Sequence, residues 1–161
     1  MPRNQYLVFC IKYLVIIFLI LTLITYLPAG KAGHSSLIRA QTSLDQAKKD
    51  YTEKTSSLAS AKSAYISAKS SYQSFGTATA KAEAFAKTKD YLASVDRLLL
   101  SYLALVAEYG HQTRWQSNSF DKAAIDQVIA DQITFIQDHL KKVQNSQTLE
   151  DLPPLSTNLK T

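Results

Sequence analysis

Apolar residues recur every seven positions through the middle of the chain. Two such series run in parallel, three residues apart, and eleven of their twelve members are apolar; they are Leu37, Leu44, Tyr51, Leu58, Tyr65 and Tyr72, and Ala40, Ala47, Lys54, Ala61, Ala68 and Phe75. A seven-residue apolar repeat sustained over six heptads is typical of a long helix that packs lengthwise against another helix. The pattern therefore predicts one helix over about residues 37–75.

A second helix is expected over about residues 78–109. Gly76 is a candidate for the left-handed residue that ends the first helix, Thr77 or Thr79 can cap the second, and Gly110 is expected to end it. Parallel dimers favour Ile or Val together with Leu along the seam, whereas this seam alternates bulky residues with Ala. We therefore expect an antiparallel coiled-coil-like hairpin within one chain, with self-association through the seam as the open alternative.

A third packing helix is predicted over about residues 119–145, with Asp121 in its first turn. Its apolar stripe consists of Ile125, Ile129, Ile133, Ile136, Leu140 and Val143, widened by Val128 and Phe135. A short turn from Thr148, ended by Pro153 and Pro154, and a flexible tail complete residues 146–161. The expected fold class is all-α, an elongated three-helix bundle over residues 37–145 whose outer part, around 65–90, is an arm of two helices.

An apolar segment precedes this bundle. Residues 6–27 contain a single charge, Lys12, and their 22 residues are enough to span a bilayer. They predict a transmembrane anchor with a short basic cytoplasmic end at 1–5 and a linker at 28–36. The competing interpretation is a cleaved signal peptide with its cleavage site after Ala32. Both interpretations place the bundle outside the cytoplasm, either on the cell membrane or secreted. The bundle is expected to contain no disulfide, because Cys10 is the only cysteine.

The positive charge of the chain is concentrated at its N-terminus. Arg3, Lys12 and Lys31 supply three of the five net charges, so residues 33–161 carry only +2. A nucleic-acid surface needs a basic stripe, and none is concentrated here. We therefore expect no nucleic-acid partner.

No arrangement of residues indicates catalysis. The histidines, His34, His111 and His139, include no pair four residues apart and have no cysteine near them, so no metal site is predicted. Phosphate-binding and metalloprotease motifs are absent from the sequence. We interpret His139, which follows Asp138, as a histidine at the edge of the core or in solvent. The sequence predicts neither a cofactor nor an enzyme.

Two groups of residues are candidates for contacts. Tyr72, Phe75 and Phe85 lie near the predicted hairpin tip, where aromatic side chains favour a protein partner; the alternative, which we favour, is that they complete the seam. Arg114 and Trp115 follow the second helix and suit a lipid headgroup boundary; the alternative, again favoured, is that Trp115 closes the end of the bundle.

These patterns together favour a structural role. We expect a non-enzymatic, membrane-anchored extracytoplasmic protein that acts as a scaffold, spacer or protein-interaction module. Its expected partners are the lipid bilayer, through residues 6–27, and an unidentified protein. The alternative is a secreted helical bundle that binds a ligand or partner at the cell surface.

Overall fold

The computed structural model describes residues 34–113 and 121–158, with side chains for 41–111 and 121–157. Within those ranges the chain is helical and contains no strand, which confirms the all-α prediction for this part. The helices are α1 (His34–Phe75), α2 (Ala78–Thr113), α3 (Lys122–Asn145) and α4 (Leu152–Asn158), and a 3-10 turn (Leu149–Asp151) precedes α4. The start of α1 at His34 places three residues of the expected 28–36 linker in a helix.

Several predictions concern residues outside the described part. They are the anchor or signal segment at 6–27 with its basic end at 1–5, the cleavage site after Ala32, and the loop that carries Arg114 and Trp115. Among the described helices, none combines the length and the apolar character needed to cross a membrane.

The turn between α1 and α2 is built on Gly76, as predicted. Gly76 has φ 63°, the left-handed conformation that glycine adopts without a steric penalty. Its N–H donates to the carbonyl of Tyr72 at 2.9 Å, which is the single hydrogen bond of an αL C-cap. The Thr77 hydroxyl then accepts from the N–H of Ala80 at 3.2 Å and caps the start of α2.

Helices α1 and α2 run antiparallel and touch along their lengths. Ser43 donates to Glu108. Further along, the rings of Tyr51 and Tyr102 lie 6.1 Å apart, and those of Tyr65 and Tyr91 stack at 5.2 Å with 9° between their planes. From residue 44 to residue 72, every position of the two predicted series is buried or half-buried. Burial therefore agrees with the predicted seam from Leu44 to Tyr72, and its last member, Phe75, departs from it.

Helix α3 packs against α2. It begins at Lys122 rather than near residue 119, because Asp121 is the N-cap itself. The carboxylate of Asp121 accepts from the N–H groups of Ala123 and Ala124 at 3.0 and 3.3 Å. An acidic residue is favourable both as an N-cap and within the first turn, so the sequence pattern does not distinguish the two positions. The predicted start therefore lies about one turn before the observed one.

Residues 149–158 form a 3-10 turn and a helix that pack onto the bundle, which corrects the prediction of a flexible tail for this part of 146–161. The two prolines, Pro153 and Pro154, do not end the turn but occupy the first turn of α4. Backbone N–H groups in a first turn have no acceptor within the helix, so the missing N–H of proline costs no hydrogen bond there. Leu152 is 1% exposed and belongs to a core cluster with Leu92 and Val143.

The two-helix arm is shorter than predicted. Lys81 Nζ lies 2.8 Å from Glu150, and Lys89 Nζ donates to the carbonyl of Ser146 at 3.1 Å. These contacts bring the C-terminal turn alongside residues that the sequence had assigned to the arm. The other end of α2 is longer than expected, because the helix continues through the buried Gly110 to Thr113.

Candidate functional site

The hairpin tip presents an aromatic ring to solvent. Phe75, the last residue of α1, is 74% exposed, whereas Tyr72 one turn earlier is half-buried. The residues that follow, 76–79, are also exposed. Phe75 therefore does not complete the seam; it stands beyond it.

Phe85 lies in different surroundings. It is half-buried and packs against the core cluster of Leu92, Ala93, Val143 and Leu152. Lys89 Nζ lies 5.6 Å from the centre of its ring, within cation–π distance. Of the three aromatic residues proposed as partner contacts, Tyr72 and Phe75 share the tip, and Phe85 belongs to the packing between α2 and the C-terminal residues.

A buried polar cluster joins three helices. His139 on α3 is 3% exposed and Asp96 on α2 is 0% exposed. Imidazole Nδ1 lies 2.9 and 2.8 Å from the two carboxylate oxygens of Asp96. Imidazole Nε2 lies 3.0 Å from the main-chain carbonyl of Leu155 on α4. One histidine ring on α3 thus contacts both α2 and α4, so His139 lies within the core rather than at its edge or in solvent as predicted.

The partners determine where the protons sit. The carbonyl of Leu155 can only accept, so Nε2 carries a proton. Nδ1 faces a carboxyl group, so one more proton lies between Nδ1 and Asp96. Burial raises the pKa of Asp96, and the hydrogen bond and charge of His139, together with Arg97, act in the opposite direction.

This cluster does not have the arrangement of a catalytic dyad. In such a dyad the second imidazole nitrogen faces a nucleophile, whereas here it is bonded to the Leu155 carbonyl. Across the part of the chain with described side chains, every buried side-chain nitrogen and oxygen has a hydrogen-bond partner. Those polar atoms are committed to the fold.

A signal for this pair was present in the sequence. Asp96 lies four residues after Leu92 and three before Leu99, on the apolar face of α2. His139 likewise lies between Ile136 and Val143 on the stripe of α3. Polar residues at core-facing positions need partners, so the sequence indicates that Asp96 and His139 each require one but does not identify which residue supplies it.

An open groove runs between α1 and α2. Its volume is about 660 Å³. Four charged side chains, two of each sign, line it together with smaller residues; the charged ones are Asp50, Lys54, Arg97 and Glu108. Small-molecule sites are typically enclosed, whereas this groove is open to solvent along its length. Within residues 41–111 and 121–157, no three metal-ligating side chains lie together.

Comparison with known proteins supplies no relative for this chain: no family model, curated protein or solved structure matches it.

Proposed function

We propose that this chain is a non-enzymatic spacer that is anchored in a membrane through residues 6–27 and presents the tip of its α1–α2 hairpin to a protein partner outside the cytoplasm. The α1 and α2 helices would act as a coiled-coil-like rod. The hairpin tip, defined as Tyr72 and Phe75 with the turn that follows, would be the contact surface. Phe85 is left out of this surface because it packs into the core cluster.

The exposure of Phe75 carries the proposal. A phenylalanine that is 74% exposed at the end of a helix costs solvation and contributes little to folding. Aromatic residues of this kind are enriched among the residues that dominate protein interfaces. A partner that buries the ring would recover the apolar contact that the fold leaves open.

The length of the rod supports the spacer role. The 42 residues of α1 correspond to about 63 Å at 1.5 Å per residue. Contacts at Ser43, Tyr51 and Tyr65 tie α1 to successive points along α2 over the middle of this length, which stiffens it there. A helix of this length suits a spacer.

Photo-crosslinking at the tip tests the contact. A photoreactive phenylalanine analogue replaces Phe75 in the full chain in its native membrane, and the matched control carries the analogue at Ile66, which is 54% exposed on α1. We expect a discrete crosslinked protein from position 75 and none from position 66. Equal labelling from both positions, or none from either, contradicts the proposal.

The variant Phe75→Ala separates contact from folding. Because the ring is exposed, the free energy of unfolding should change by less than about 0.5 kcal/mol, while the crosslinked partner no longer co-purifies. Ile66→Ala should change neither. A loss of stability with the partner still bound would make Phe75 a structural residue.

The fate of the leader distinguishes the anchored protein from a secreted one. N-terminal sequencing of the chain from membrane and soluble fractions should give a start at Met1, in the membrane fraction. A start near Gly33 in the soluble fraction would instead support the secreted helical bundle.

A further inference from the structure

The buried cluster described above fastens the last helix to the bundle through a single imidazole. Leu155 is the fourth residue of α4, and its main-chain carbonyl faces the imidazole of His139. His139 Nε2 donates to this carbonyl, across 3.0 Å.

We propose that Asp96, His139 and the Leu155 carbonyl form a one-proton latch that holds α4 against α2 and α3 and opens as the pH rises. The closed latch needs two protons on the imidazole, one on Nδ1 facing Asp96 and one on Nε2 facing Leu155. If the imidazole loses one of these protons, the nitrogen that lost it presents a lone pair to an acceptor oxygen, either of Asp96 or of Leu155, and that hydrogen bond is lost.

The geometry decides which contact opens. Asp96 is fully buried within a long helix, and its two oxygens both lie within 2.9 Å of Nδ1, so an ionised carboxylate retains the proton on that nitrogen. The proton that leaves is then the one on Nε2. The carbonyl of Leu155 loses its donor, and α4, a seven-residue helix near the C-terminus, is the element that can move away.

The direction of the pH effect follows from proton binding. The docked state holds a proton on Nε2 that the undocked imidazole exchanges freely with water, so docking binds protons and weakens as the pH rises.

Several other charged groups lie on the elements around the latch. Helix α4 itself carries no charged residue. Lys89 on α2 is half-buried and donates to the carbonyl of Ser146. The others are exposed; they are Arg97 on α2, Asp138, Lys141 and Lys142 on α3, and Glu150 and Asp151 in the 3-10 turn. Of these, Arg97 acts on Asp96, Lys141 pairs with Asp138, and Lys81 pairs with Glu150. None replaces the imidazole as a donor to Leu155.

Hydrogen exchange of the full chain tests the latch. Protection of amides 149–158 is measured between pH 5.5 and 8.5, corrected for intrinsic exchange and referred to the amides of α1 in the same sample. We expect protection of 149–158 to fall by up to about tenfold per pH unit, the limit for one proton, while α1 is unaffected. A flat profile for 149–158 would overturn the proposal.

The variant Asp96→Asn supplies the matched test. The asparagine amide can donate to Nδ1 of a neutral imidazole that keeps its proton on Nε2, so the Leu155 contact no longer depends on pH. Its protection at 149–158 should be independent of pH, whereas His111→Gln, at the exposed His111, should keep the profile of the unmodified chain. An unchanged slope in Asp96→Asn contradicts the latch.

A direct measurement covers the case in which Asp96→Asn fails to fold. Nitrogen-15 spectra of the imidazole in the unmodified chain report which ring nitrogen carries a proton. Both nitrogens of His139 should be protonated at pH 5.5, and Nε2 should lose its proton first as the pH rises. Loss from Nδ1 first, or a single protonated nitrogen at pH 5.5, would refute the mechanism.

Discussion

Individual residues set the ends of the helices in this chain. Gly76 stops α1 because a left-handed residue turns the backbone and lets its N–H reach the carbonyl of Tyr72. Thr77 and Asp121 start the next two helices by accepting hydrogen bonds from the first-turn N–H groups. These local rules were visible in the sequence for Gly76 and Thr77. For Asp121 the prediction was a place in the first turn of α3, whereas the structure shows it as the N-cap.

The variant Gly76→Ala should destabilise the protein by about 1 kcal/mol. A Cβ atom at this position would meet no atom within 4 Å, so the cost is the strain of an L-residue at φ 63° rather than a clash. Chemical denaturation of the full chain measures it. Ser74→Ala, at an exposed position in the last turn of α1, is the control and should leave the midpoint unchanged; equal midpoints for both variants would contradict this account of the turn.

The buried pair of Asp96 and His139 shows where residue-level reading stopped. The sequence predicts His139 at the edge of the core or in solvent, and the predicted stripes include no position for Asp96. The decisive information is the register between α2 and α3, which brings position 96 opposite position 139. Helical periodicity gives the face on which a residue lies but not the partner across the interface.

At the scale of helices, the heptad pattern predicted α1 well because its seam is regular and its outer face is rich in Ser, Thr and Lys. The predicted end of α2 at Gly110 is wrong, since the helix continues to Thr113. A glycine within a helix costs only about 1 kcal/mol relative to alanine and does not by itself end the helix. The interpretation of Pro153 and Pro154 failed for a related reason. Prolines end a helix that precedes them but are well tolerated in the first turn of one that follows.

The docking of α4 predicts a large effect at Leu152. Leu152→Ala removes a side chain that is 1% exposed and leaves a cavity beside Leu92 and Val143, so unfolding should become about 2–4 kcal/mol easier. Val128→Ala, at a side chain that is 60% exposed, is the control and should cost less than about 0.5 kcal/mol. Thermal melting compares the two. A Leu152 variant as stable as the control would mean that α4 is not part of the core.

At the scale of the whole molecule, the proposed function joins an apolar leader to a helical rod. The sequence predicted both parts from composition and periodicity, and the structure describes the rod. The exposed ring of Phe75 emerged only with the structure, because the heptad series counts Phe75 as a seam position and the helix ends before the partner helix can cover it. Heptad spacing predicts which face of a helix a residue lies on. Whether that residue is buried also depends on how far the adjacent helix extends.

Energy transfer between the protein and the bilayer tests the spacer proposal most directly. Donor labels are placed in the full chain at Gln41 or Ser74, both exposed on α1 and about 50 Å apart along its axis, with Cys10→Ser to remove the native thiol. The chain is reconstituted in vesicles that carry acceptor-labelled headgroups. The proposal predicts strong transfer from position 41 and little from position 74. Equal transfer from the two positions would contradict a rod that holds its tip away from the membrane.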